Sequence, residues 1–118
     1  MESEQAVARV VPRRSFRRSQ PAVAAFIETE VSSRRGRRVA TDLANQLFAS
    51  YHRYRKSVPV VRDSDLRAAA DAWKGDAKDP VHGWRYALPI PLPEPEQTEV
   101  SKVLGAIVAA LEPRLRLV

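Results

Sequence analysis

Residues 32–42 read Ser-Ser-Arg-Arg-Gly-Arg-Arg-Val-Ala-Thr-Asp, and where the helices stop and start around them decides the fold. Arg34, Arg35, Arg37 and Arg38 place a charge of +4 in five residues around Gly36, with no acid among them. Like charges so close repel one another unless water, salt or a polyanion screens them. Read as a turn, the stretch separates an upstream helix from a downstream one. The downstream helix then begins at Thr41, a good N-cap, with Asp42 in its first turn at the positive end of the helix dipole.

Upstream, Pro21 suits a first helical position. Val23, Phe26, Ile27 and Val31 follow at helical spacing, which predicts a helix over about 21–33. Downstream, Leu43, Leu47, Phe48, Tyr51 and Tyr54 line one side of a second helix over about 42–56. Its last turn carries His52, Arg53, Arg55 and Lys56, at the end that favours cations. Val39-Ala40 is left over as a strand of one or two residues. After an extended Ser57–Arg62 connection, Asp63 or Ser64 caps a third helix over about 64–74, with Leu66, Ala69, Ala70 and Trp73 on one face. Gly75 ends it. Residues 75–83 are turn-rich, and Trp84-Arg85-Tyr86-Ala87-Leu88 alternates as a half-buried strand does, which predicts a β-hairpin. The expected fold is mainly α with a small β-hairpin, in the order of a winged helix-turn-helix, plus a C-terminal helix.

The flanks complete the expected organisation. Residues 1–20 hold Arg9, Arg13, Arg14, Arg17 and Arg18 without a sustained period, as a basic flexible arm does. The winged-helix domain then covers 21–88. Residues 89–97, Pro-Ile-Pro-Leu-Pro-Glu-Pro-Glu-Gln, read as a stiff polyproline linker. Over 98–118, Thr98 caps a helix with an apolar stripe of Val100, Val103, Leu104, Ile107, Val108 and Leu111; Pro113 ends it, and Leu115 and Leu117 extend the apolar surface. The stripe must be covered: by the same chain, by a second copy in a homodimer, or by another protein.

Phe26-Ile27-Glu28, then Arg38-Val39-Ala40, Leu43 and Tyr51, Leu66 of the third helix, and Gly83-Trp84-Arg85 before an apolar strand make a recurring pattern. Over about residues 22–90 it resembles the winged-helix domain that ends the primase-helicases of phages, plasmids and related mobile elements. The resemblance implies a DNA-binding module of replication machinery. This chain has no primase or helicase part beside it, so the resemblance implies a small stand-alone protein of a mobile element.

Charge points the same way. The chain holds 20 Lys+Arg against 14 Asp+Glu, and residues 1–56 hold 12 of the bases and only 5 of the acids. The excess belongs to the N-terminal half, as expected of a face that meets an anion. Arg34, Arg35, Arg37 and Arg38 are expected to neutralise phosphates, with Arg53, Arg55 and Lys56 extending that patch. Arg62 and Arg67 are the candidates for base contact and Arg85 for a backbone contact from the wing. Asp63, Asp65 and Asp71 on the third helix oppose base reading, since each would face phosphate, so contact driven by charge and shape is expected. The alternative function is a protein-interaction module, an inhibitor or adaptor of phage type, whose basic face docks an acidic partner and whose last helix is the anchor.

Other classes find little support. The chain has no cysteine, which excludes disulfides, thiol catalysis and the usual zinc fingers. It has no glycine-rich phosphate loop and no Ser/His/Asp set, and Asp76, Asp79 and His82 sit where turns favour aspartate. No enzyme activity, cofactor, metal or small-molecule substrate is expected. Without a signal-type or membrane-spanning apolar run, a cytoplasmic location with no membrane partner is expected.

Overall fold

A computed structural model describes residues 11–55, 58–75, 81 and 83–116. Among these residues six helices follow in order: α1 Arg13–Ser19, α2 Pro21–Glu30, α3 Arg34–Arg55, α4 Asp63–Ala72, α5 Trp84–Ala87 and α6 Glu94–Arg116. Helix α6 packs on α4 and α3 and touches α2, while α1 lies against α2 and α3. The fold is mainly helical, as its apolar spacing predicts.

Helix α2 starts on Pro21 and buries Val23, Phe26 and Ile27. Helix α4 buries Leu66 and Ala70. The stripe of α6 is core of this same chain: Val100, Val103, Leu104 and Ile107 are fully enclosed, Leu111 is buried and Val108 half-buried. Each enclosed aliphatic contributes about 1.5–3 kcal/mol, against at most about 1 kcal/mol for an exposed ion pair, so α6 is the main apolar anchor of the fold. Glycine at 105 leaves room for Trp73, the residue that follows α4: a Cβ there would lie 3.0 Å from Nε1 of Trp73.

Several expectations are corrected. Residues 13–19 are not part of a free arm but a helix, because Phe16 needs cover; it is 1% exposed and meets Phe48 with ring centroids 5.8 Å apart. The arginine stretch is not a turn but the first turn and a half of α3, and Val39 and Ala40 are helical with it. Thr41 therefore caps nothing; its hydroxyl donates back to the Arg37 carbonyl at 2.8 Å, a bond made from inside a helix. The wing strand is absent. Trp84–Ala87 is a short helix that buries Trp84, and no strand occurs among the described residues. Finally, the proline linker is shorter than expected and anchored at one residue: α6 begins at Glu94, Leu92 is buried, and the Gln97 amide donates to the Leu92 carbonyl at 2.8 Å. Prolines are tolerated in a first helical turn, where no intrahelical N–H bond is lost. Nor does Pro113 end α6, which continues to Arg116.

Two buried carboxamides tie irregular segments to helices. Gln20, 3% exposed, donates to the Pro59 carbonyl at 2.8 Å and accepts from the Val61 N–H at 3.0 Å. Asn45 does the same for Val11, accepting from its N–H at 3.3 Å and donating to its carbonyl. The Gln20 pair satisfies backbone groups that burial would otherwise leave unpaired, and the Asn45 pair ties down the exposed Val11.

Gln20→Glu replaces the donor on Pro59 with a carboxylate oxygen facing a carbonyl while keeping the acceptor for Val61. Urea denaturation at neutral pH should show a loss of about 2 kcal/mol. Burial and the Pro59 carbonyl raise the new carboxyl's pKa in the folded state, so folding takes up a proton and the deficit should shrink as pH falls through the carboxylate range. A loss that does not vary with pH would contradict this pairing.

Candidate nucleic-acid interface

Helix α3 begins on Arg34 with no acid in its first turn. A helix start so cationic needs negative charge at its positive dipole end and acceptors for its free N–H groups. Ser33 supplies the first acceptor: its Oγ takes the Gly36 N–H at 2.9 Å, and its hydroxyl donates to a Glu96 carboxylate oxygen of α6. Glu99, one turn further along α6, accepts from both the N–H and the hydroxyl of Ser32, at 3.1 and 3.0 Å. The carboxylates missing from the helix's own first turn thus come from 63 and 67 residues away.

With this end closed, three arginines of α3 point into a cleft. Arg34, Arg37 and Arg38 line it with Arg13 and Arg17 of α1, over a floor of Ala24, Ile27 and Thr41; its volume is about 360 Å³. The one carboxylate in the lining, Glu28, pairs with Arg37 at 3.4 Å, while Arg37 also donates to the Val31 and Ser32 carbonyls at 3.1 Å. Arg13 makes a two-pronged bond to Asp42, both arms at 2.7 Å. That hydrogen bond first, and the carboxylate's charge second, raise the Arg13 pKa above its ordinary value, so the guanidinium stays charged throughout the working range of pH. Arg17, Arg34 and Arg38 have no carboxylate partner among the described residues.

Arg14 and Arg18 continue the surface over the outer side of α1, where with Arg13 and Arg17 they line a second, shallower depression. Together α1 and the start of α3 present seven arginines, 13, 14, 17, 18, 34, 37 and 38, against the two carboxylates of Glu28 and Asp42. Neighbouring guanidiniums about 6 Å apart repel by about 0.7 kcal/mol even in water, so a bound polyanion relieves a standing cost. The opposite end of the α1–α3 seam is different in kind: a cleft of about 670 Å³ lined chiefly by apolar groups such as Phe16, Phe48, Val58 and Val60.

The structure distributes the expected site residues unevenly. Arg34, Arg37 and Arg38 are brought together with α1. Arg35 points elsewhere, its guanidinium donating to the carbonyls of Ile90 and, at 3.3 Å, Pro91. Arg53 is exposed, but it lies about 25 Å along the α3 axis from Gly36 at 1.5 Å per residue, so it does not extend the same patch. Arg9, Lys56, Asp76, Asp79, His82 and Leu117 lie outside the described residues, as do the side chains of Tyr54, Arg55 and Leu115. Arg62 and Arg67, expected at bases, lie beside acids of their own helix: Asp65 at 4.0 Å and Asp63 at 2.6 Å. The Asp63 hydrogen bond, then its charge, raises the Arg67 pKa. Arg85 is on no wing; it donates to the buried Ser101 hydroxyl at 2.6 Å and lies 5.7 Å from the Trp84 ring centroid. The candidate partner residues Val100, Val103, Leu104, Ile107 and Leu111 are interior.

Arg13 and Arg17 join the cleft from the segment that reads in sequence as a basic arm expected to share in the binding, without being singled out there as site residues. Their signal was present: Arg13/Arg17 and Arg14/Arg18 are i,i+4 pairs around one large apolar residue, Phe16, which is a short helix with a wet side and a dry one. Comparison with protein-family models, with curated proteins and with solved structures gives no match. No helix among the described residues is long and apolar enough to cross a membrane.

Gly36 carries this helix start. A Cβ there would fall 2.8 Å from both Ser33 Oγ and the Cγ1 of fully buried Val31. Helix propensity alone favours alanine over glycine by about 1 kcal/mol. Overpacking opposes it by about 1–3 kcal/mol. Gly36→Ala should therefore lower stability by about 1 kcal/mol in thermal or urea unfolding; a gain would mean the cap is not so tightly packed.

Proposed function

We propose that this protein binds DNA through phosphate-backbone contacts made by α1 and the first turns of α3. The observation that carries the reading is the cleft in which Arg13, Arg17, Arg34, Arg37 and Arg38 converge from two helices, three of them without a carboxylate partner among the described residues. Guanidinium is suited to phosphate because its planar fork donates two parallel hydrogen bonds. The cleft is mostly polar and holds no Ser/His/Asp set among its lining residues, so what it offers is charge and donors rather than a reacting group. Binding of this kind is governed by charge and shape, with little sequence code, because phosphates carry no base identity. Replication of a mobile element, or its regulation, is the process to which the resemblance to primase-helicase modules points. Docking of an acidic protein is the weaker reading, since the stripe that would anchor such a partner lies in the core.

Five arginines, 14, 17, 18, 34 and 38, are left to neutralise phosphates, so the logarithm of the binding constant for random duplex DNA should fall with log salt at a slope of about −4 to −5. Arg17→Ala/Arg34→Ala/Arg38→Ala should reduce that slope by about 3 in a titration across 50–200 mM salt. An unchanged slope, or no binding by the wild type at low salt, contradicts the proposal. Glu28→Gln removes the one carboxylate of the cleft and should tighten binding several-fold at low salt, an effect that fades as salt rises.

A further inference from the structure

Tyr86 is 90% exposed and Ile90 69%, the two largest exposures among the large apolar side chains described. They stand within five residues of each other, with Pro89 and Pro91 also exposed. Around them the same segment is firmly held. Trp84 and Leu92 are buried, and Arg85 reaches inward to Ser101. The exposure is therefore a feature of an anchored segment: Trp84 and Leu92 turn in, while Tyr86 and Ile90 turn out.

Arg35 sets the position of this apolar ledge relative to the arginine cleft. Its guanidinium is bonded to the carbonyls of Ile90 and Pro91, so the ledge lies one arginine side chain from the first turn of α3. Around that helix, at about 100° per residue, Arg34 lies on the cleft side, Arg38 about 40° further round and Arg35 about 100° round. Arg38, exposed, thus lies on the side of the cleft nearer the ledge. Round the first turns of α3 the cleft arginines are thus followed by Arg35 and, through its bonds, by the Ile90–Pro91 end of a segment that exposes an aromatic ring four residues earlier.

This juxtaposition fits a strand whose phosphates and bases are presented to different places. In a duplex the base faces are stacked and hidden, leaving an aromatic ledge beside the phosphates nothing to contact. In a single strand the bases are free to leave the phosphate track and stack on an aromatic ring, whatever their sequence. We propose that Tyr86, assisted by Ile90, is a base-stacking platform beside the arginine cleft, and that single-stranded DNA is the form this protein prefers. This rests on the reading of the cleft as a phosphate site.

The test is fluorescence anisotropy with a labelled random-sequence oligonucleotide, single-stranded and as its duplex, at fixed low salt. Wild type should bind the single strand the more tightly. Tyr86→Ala should weaken single-strand binding about tenfold and leave duplex binding unchanged, while Tyr86→Trp should keep or raise it. Because the side chain is exposed, circular dichroism should show the variants folded as the wild type. Equal affinity for both forms, or Tyr86→Ala without effect while duplex binding persists, overturns the platform and leaves the phosphate cleft standing. Loss of binding to both forms in the wild type overturns both. Sedimentation gives the remaining outcome: self-association abolished by Tyr86→Ala would assign the ledge to a second copy of the chain and sink the platform.

Discussion

The N-terminus of α3 is the constraint on which the rest of the molecule depends. A helix that opens Arg-Arg-Gly-Arg-Arg stacks four cations on the end of its own dipole that already repels them. It can form there only if carboxylates and hydrogen-bond acceptors are brought in from outside. Glu96 and Glu99 of α6 meet that need through Ser33 and Ser32, and the buried stripe of α6 keeps them in place. The apolar core and the charged surface are therefore coupled, because α6 forms the interior and closes the helix that displays the arginines. Gly36 is part of the same arrangement, its missing side chain leaving room for Ser33 against Val31.

Once α3 starts at residue 34, its arginines are held on a rigid helix facing a second one. Helix α1 is pinned by Phe16 on the dry side and by the Arg13–Asp42 pair on the wet side. Burial of Phe16 is the larger of these effects, since the ion pair is exposed and such pairs contribute little. Two short rows of guanidiniums thereby converge on one cleft. A flexible arm and a loop would instead have to be ordered by the ligand, at a cost in conformational entropy for each residue fixed. Rigid display makes the cleft a preformed cationic surface.

The legible parts of the chain were those with a local cause. Helix α2 follows from Pro21 and the spacing of Val23, Phe26 and Ile27, α4 from Leu66 and Ala70, and α6 from its stripe. The concentration of positive charge in the first 56 residues could also be read directly. The alternating pattern of Trp84–Leu88 misled because five residues can equally pack as one helical turn with Trp84 buried and Tyr86 outside. Short apolar runs do not separate strand from helix by periodicity alone.

What the amino-acid sequence determined by itself is the helical character, the apolar faces and the basic half, because each is set by residue type and spacing within a few positions. Tertiary structure alone decided where α3 begins, which arginines share a cleft, and that the last helix is interior. The reason is one of range. A local reading sees a cluster of arginines without acids and stops the helix there, whereas the acids that permit the helix lie more than 60 residues away and arrive only when α6 packs.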